Sequence, residues 1–432
     1  MWDATSRRPL KSPILLSMAN ASAGDPLQRR TLTVLAISQV VGTVGVGIAP
    51  SIGILLATEV TDSELWSGLA RTASTLGAAI LGIPLGSLAA RFGRRTALSS
   101  GWWISAVGAA ILVGAAQWSL VVPMFLGLLL IGAGQATSLQ SRFAATDRAA
   151  PADKAKALAL VVWIGTIGNV LGPNLGVPGE ALHRSTGLSV YAGAFLIAAV
   201  CLALAGVMVF LWLRPDPLEG KTGRTPRVAA DEKVRFPRVR LLLAEIRTSP
   251  RARAAATAVV SAQVIMVVVM TMTPVHMHHN GDSVTLVGVT ISLHIVGMYA
   301  LAPLVGFLAD RYGPRPTVTV GVLILVASLV VCGVASGSTA GVIVGLFLLG
   351  LGWSFVNVAG SAMFSQAVAE DNRATAQGGL DASSNLVSAA GAFAAGPLMA
   401  VSSFPVVALV VAVFLVPVVM ALPTTAYARE ED

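Results

Sequence analysis

Apolar runs long enough to cross a bilayer follow one another from Thr31 to Pro423. A run of about 20 residues spans the hydrocarbon core, and lipid offers backbone N–H and C=O groups no partners. Such runs must be helices, so the chain is expected to be an all-α membrane protein. Twelve spans are marked, at 31–58, 65–90, 96–116, 119–142, 157–177, 189–213, 254–277, 284–308, 317–336, 340–363, 377–400 and 405–424. Composition agrees: 55% of the residues are hydrophobic and only 12% charged, where a soluble domain carries about 25% charge. Residues 1–30 hold Arg7, Arg8, Lys11, Arg29 and Arg30 and show no cleavable signal pattern.

Charge sets the expected topology. With the N-terminus in the cytoplasm and twelve alternating spans, every Lys and Arg except Arg71 and Arg184 falls in a cytoplasmic segment or at a cytoplasmic helix end. Positive charge stays inside, so both termini are expected to be cytoplasmic. The net charge of +8 then reports topology and anionic lipid headgroups, with no nucleic-acid partner implied. Cys201 and Cys332 stand alone in separate spans, which implies buried thiols and no disulfide framework.

The spans divide six and six. A polar stretch from Arg214 to Arg253 holds eleven Lys or Arg. The expected organisation is a cytoplasmic tail (1–30), a six-helix bundle (31–213), a cytoplasmic linker (214–253), a second bundle (254–424) and a short tail (425–432). A piece of the linker around Val239–Ile246 is amphipathic and suits a membrane surface. The halves also repeat. Gly86-Ser-Leu-Ala-Ala-Arg-Phe-Gly-Arg-Arg95 follows the second span, and Gly306-Phe-Leu-Ala-Asp-Arg-Tyr-Gly-Pro-Arg315 follows the eighth. Six-span repeats with substrate between them are a transporter architecture.

Both turns resemble the G-x-L-a-D-R-x-G-R-[RK] loop of the major facilitator superfamily, placed correctly in each half. The resemblance implies two rocking bundles and alternating access. It also implies a latch or gate role for Arg91, Arg94, Arg95, Asp310, Arg311 and Arg315. Ala90 stands where the first copy should carry its acid, so the first latch is expected to be the weaker one. Arg142 and Asp147, at the end of the fourth span, are expected at the inner mouth as a further latch or gate.

Metal-loving side chains are concentrated in one place. Between Met266 and Met298 lie four of the five histidines and five of the twelve methionines. Met266 and Met270 are four apart and share a helix face, as do His294 and Met298. Counted from the turn near Gly281, the two pairs match in depth to about 3 Å at 1.5 Å per residue. Two antiparallel helices could present all four to one small volume. Thioether and imidazole together suit Cu(I) better than oxygen-seeking ions. His276, Met277, His278 and His279 would gather the ion at the outer mouth. Methionine also simply fills gaps in packing, and a mid-helix histidine can serve an interhelical hydrogen bond instead.

The MxxxM of Met266–Met270 and the HxxxM of His294–Met298 are similar to the hallmark of the CcoA-like copper importers. That resemblance implies copper uptake across a bacterial cytoplasmic (inner) membrane, with copper as substrate and no permanently bound cofactor. It carries an expectation of a monomer contacting only lipid and a copper ion or small chelate.

Other features keep alternatives open. Gly165, Gly168, Gly172-Pro173 and Gly176 resemble a motif of proton-coupled exporters, although close packing through small residues explains them as well. A Gly391…Gly396-Pro397 break is expected in the eleventh span. Gln135 and Gln140 are candidates for cavity lining. Arg71 is expected to snorkel to the outer interface or to pair with Glu59 or Glu64. No carboxylate is read deep in any span, which argues modestly against a carboxylate-relay pump. No phosphate-binding glycine loop and no enzyme site are found. Copper import leads. Efflux of small apolar organic molecules and a non-transporting membrane metal sensor are the alternatives.

Overall fold

The computed structural model describes residues 26–150, 153–219 and 237–427. Among these residues every regular element is helical. Eleven helical segments are long and apolar enough to cross a membrane. One of them, Ser67–Trp118, is 52 residues long and turns at Gly93, whose φ is +87°. That left-handed conformation favours glycine. The 52-residue segment therefore holds the second and third spans, and the chain makes twelve crossings.

Prolines shape several spans by removing a backbone donor. The first span, Pro26–Thr61, passes through a π-helical turn at Ala49–Gly53 that contains Pro50. The eighth is broken after Tyr299 and resumes at Ala302, one residue before Pro303. The eleventh span differs from expectation. Its helix runs unbroken from Glu370 to Val401 with Pro397 inside, so the glycine–proline pair bends no visible gap into it.

The linker is described in part. Pro237–Thr248 forms a helix. Its Leu242 is buried in a cluster with Ala252, Phe364 and Leu380, and Asn372 Nδ2 donates to Glu245 Oε1 at 3.2 Å. This piece therefore docks onto the second bundle while still exposing Leu243. Residues 220–236 lie outside the described residues.

Two faces of the molecule can be told apart. The turns at Gly93 and Gly313 and the linker lie on a basic face. The turn at Gly281 lies on the opposite face. Two of the seams along which the bundles meet lie toward that opposite face. In the first, Gly68 sits against the Ala392 carbonyl, and Thr72 Oγ1 donates to the Ala389 carbonyl at 3.2 Å. In the second, Asn174 Nδ2 donates to Ser292 Oγ at 2.6 Å, which itself donates to the Val170 carbonyl at 2.6 Å. Toward the basic face the first seam opens: Ile83, Asp381, Asn385 and Leu386 are all exposed. Exposed polar groups inside a span require water rather than lipid around them. The space between the bundles is thus open toward the basic face.

Close packing explains the glycines of the fifth span. A Cβ on Gly172 would stand 2.6 Å from the Val44 carbonyl oxygen and 2.7 Å from Gly47 Cα, and one on Gly168 would meet the Thr43 hydroxyl. The fifth span lies directly on the backbone of the first, as small residues permit.

Candidate functional site between the bundles

The expected Met/His residues are placed as follows. Met266, Met270 and Met298 are all buried in the main apolar cluster. His294 is fully buried. The seventh and eighth spans barely pack on each other, and both pack on the tenth, Thr339–Ala367. His294 follows that arrangement: its Nδ1–H donates to the Leu346 carbonyl of the tenth span at 2.8 Å. The face shared by the seventh and eighth helices that would join the two pairs directly is therefore not the contact the fold builds. His294 Nε2 is left buried without a hydrogen-bond partner. In a neutral ring whose Nδ1 is protonated, that atom is an acceptor.

At the outer mouth the four expected ligands diverge, because neighbours on a helix point about 100° apart. Met277 is fully buried. The His276 ring donates through Nε2 to the Ser336 carbonyl at 2.8 Å and stacks on Phe404, with centroids 4.5 Å apart and planes 8° apart. His278 and His279 are exposed. Among the described residues, no group of three or more His, Cys, Asp or Glu could hold a metal ion.

A different set of side chains gathers around the opening between the bundles. Gln263 on the seventh span accepts a hydrogen bond from Trp353 Nε1 on the tenth at 2.7 Å. Tyr299, at the break in the eighth span, meets Trp353 edge to face with centroids 5.9 Å apart and planes at 71°, a favourable aromatic geometry. All three are half-buried. Gln377 Nε2 on the eleventh span donates to Asp381 Oδ1 at 3.5 Å.

Arg71 corrects an expectation. Its charge acts on Tyr299 and His294 in the second bundle. Among the described residues it joins no ion pair with Glu59, and the Glu64 side chain, the other expected partner, lies outside the described residues. Arg142 lies near Tyr299 and Asp381, and Asp147 pairs with Arg94. Asp381 itself was not anticipated. It is a carboxylate inside the eleventh span, exposed to the opening, and it qualifies the reading that spans hold no interior acid. Gln140 donates to the Gly82 carbonyl at 3.2 Å, so it ties the fourth span to the second.

The latch on the basic face is built differently from expectation. Arg94 makes a two-point pair with Asp147, Nε to Oδ2 at 2.8 Å and Nη2 to Oδ1 at 3.3 Å. Asp216 accepts from the backbone N–H groups of Arg94 and Arg95, and the Arg95 guanidinium lies 5.2 Å from the Phe210 ring centroid. Arg91 is exposed. The second copy keeps its acid, yet Asp310 and Arg311 are exposed. Among the described residues, no ion pair includes Asp310, Arg311 or Arg315. The copy lacking the acid is thus the one that is tied down, because Asp147 and Asp216 supply the missing charge.

Twelve crossings, two bundles and a polar opening between them define a membrane transporter. The chain belongs to the Major Facilitator Superfamily, whose family model matches residues 34–282 and 254–431. It is 35% and 36% identical to the uncharacterized MFS-type transporters YddS and YdeG of Bacillus subtilis, over 91% of this chain and 91% and 92% of theirs. It is 28% identical to the riboflavin transporter RfnT of Brucella anthropi, over 93% of this chain and 98% of that one. Its fold is similar to a bacterial homolog of the lysosomal transporter Spinster in an inward-facing, occupied conformation (TM-score 0.70, 15% identity, 94% and 98% covered). It is also similar to the nucleoside transporter NupG (TM-score 0.69, 16% identity, 93% and 99% covered). These matches carry the superfamily and leave the CcoA-like copper branch without support.

Proposed function

We propose that this chain is a secondary transporter of a small organic solute, working by alternating access with its basic face toward the cytoplasm. The observation that carries the reading is the Gln263–Trp353–Tyr299 group. A hydrogen-bonded amide and two aromatic rings from three helices form one partly exposed group, which on this reading faces the opening and suits a flat, polar organic molecule. The relative named as a riboflavin transporter supports the same class of cargo. The positive-inside distribution of Lys and Arg supports a cytoplasmic-membrane protein with both termini inside. On this reading the chain acts as a monomer among lipids, binds no nucleic acid, holds no permanent cofactor and catalyses no covalent step.

One observation favours copper as a second reading. His294 has one ring nitrogen fixed by a carbonyl and the other buried and unpartnered, the arrangement of a metal-ligating imidazole. Met266, Met270 and Met298 would be its soft co-ligands. Vesicles containing the purified chain separate the two readings through uptake of radiolabelled riboflavin and of copper, for wild type, Trp353→Ala and His294→Ala. Flavin uptake abolished by Trp353→Ala supports the organic reading. Copper uptake lost in His294→Ala, with no flavin movement, overturns it in favour of copper.

A further inference from the structure

Two guanidinium groups enter the opening without a compensating ion pair. Neither Arg71 nor Arg142 joins an ion pair among the described residues. Arg142 Nε is buried with no partner at all. A cation withdrawn from water costs several kcal/mol unless something repays it. Packing does not require either charge. Arg71 follows Gly68, whose backbone touches the Ala392 carbonyl, so it enters the opening at its closed end. Arg142 lies in the last turn of the fourth span, Val121–Ala144, and enters from the basic end. The charge of each lies near enough to act on the Tyr299 phenol.

One carboxylate, Asp381, lies within the field of Arg142. Among the described residues no carboxylate is paired with Arg71, whose charge lies near Tyr299 and His294. This unpaired guanidinium at the closed end lies beside Tyr299, which meets Trp353 edge to face. Planar guanidinium groups bind carboxylate and phosphate oxygens at two points. The aromatic pair next to Arg71 suits the ring that such an anionic group would carry.

We propose that the solute is a small aromatic anion, with its carboxylate or phosphate held by Arg71 and the Tyr299 hydroxyl and its ring against Trp353. The inference rests on the organic-solute reading of the same opening. Substrate charge fills the deficit at Arg71, so the closed-end seam at Gly68 and Thr72 is held most firmly when the solute is bound.

Binding of four matched probes to the full-length chain in detergent micelles tests it: benzoate, phenyl phosphate, benzyl alcohol and benzylamine, read by quenching of tryptophan fluorescence. One or both anions are expected to bind more tightly than the alcohol and the amine. Which of the two anions wins tells carboxylate from phosphate. Arg71→Gln is expected to weaken anion binding by about ten- to a hundredfold, the loss of a charged two-point contact, and to leave benzyl alcohol binding unchanged. Arg71→Lys should restore part of it, which shows that the variant protein is folded. Equal binding of alcohol and anions, tighter binding of benzylamine, or unchanged anion binding by Arg71→Gln overturns the anion proposal and leaves the organic-solute reading standing. Binding of none of the four by a monodisperse protein overturns the anion proposal, while the organic-solute reading stands or falls by the uptake assay.

Discussion

Asp216 accepts hydrogen bonds from the backbone N–H of Arg94 at 3.2 Å and of Arg95 at 2.8 Å, across more than a hundred residues of sequence. These N–H groups open the third span just after the turn at Gly93, where the helix has no partners of its own for them. A carboxylate there also meets the positive end of the helix dipole. Asp216→Ala is expected to destabilise the chain by about 1 kcal/mol, the usual worth of a cap. Thermal unfolding in detergent checks this through a lowered midpoint, and an unchanged midpoint refutes the capping role.

Gly93 makes that cap possible. Its φ of +87° excludes ordinary side chains, and a Cβ there would press on the Asp216 carboxyl, 2.7 Å from Cγ. Gly93→Ala therefore combines backbone strain of about 1–2 kcal/mol with loss of the cap. Its melting midpoint should fall further than that of Asp216→Ala. The double variant should be little worse than Gly93→Ala alone, because the two changes remove one shared contact.

How the sequence relates to these contacts differs from element to element. The twelve crossings were legible because lipid leaves an apolar run no option but helix. The turn repeat at Gly93 and Gly313 was legible because both copies sit after matching spans. The identity of the latch was not: Ala90 suggested a weak first copy, and nothing in a linear reading joins Asp216 to Arg94. Depth counting puts Met270 and His294 at about one level. It could not tell that the tenth span would take the contact face of both helices, which turns on tertiary packing at residues such as Gly350, where a Cβ would meet the His294 backbone. Arg71 looked like a snorkelling residue because its distance to the outer end is short. Only the closure of Gly68 onto Ala392 shows that its end of the helix faces the partner bundle.

The Arg94–Asp147 pair joins the start of the third span to the end of the fourth, and both side chains are largely shielded, at 18% and 14% exposure. Breaking one partner of a shielded charged pair costs about 1.5–3 kcal/mol for the hydrogen bonds involved. Asp147→Asn is expected to loosen the basic face of the first bundle. The charge-reversed pair Arg94→Asp with Asp147→Arg should recover part of the loss. Crosslinking yield between cysteines introduced on the third and fourth spans reads the change. Equal yields in wild type and Asp147→Asn would show that the pair holds nothing.

The contact of the fifth span with the first offers the sharpest packing test. At Gly172 the first atoms a Cβ would meet are backbone, the Val44 carbonyl and Gly47, which cannot swing aside as a flexible side chain does. Gly172→Ala must separate two helices by several tenths of an ångström, and overpacking of this kind costs about 1–3 kcal/mol. Gly86 has nothing within 4 Å of its Cβ position, so Gly86→Ala should be neutral or slightly stabilising, as expected for alanine replacing glycine within a helix. Both glycines belong to stretches that resemble superfamily motifs, so motif membership alone predicts equal sensitivity. Packing predicts a lower melting midpoint and less folded protein in the membrane for Gly172→Ala only. Comparable midpoints for the two variants would mean that the first and fifth spans are not in backbone contact.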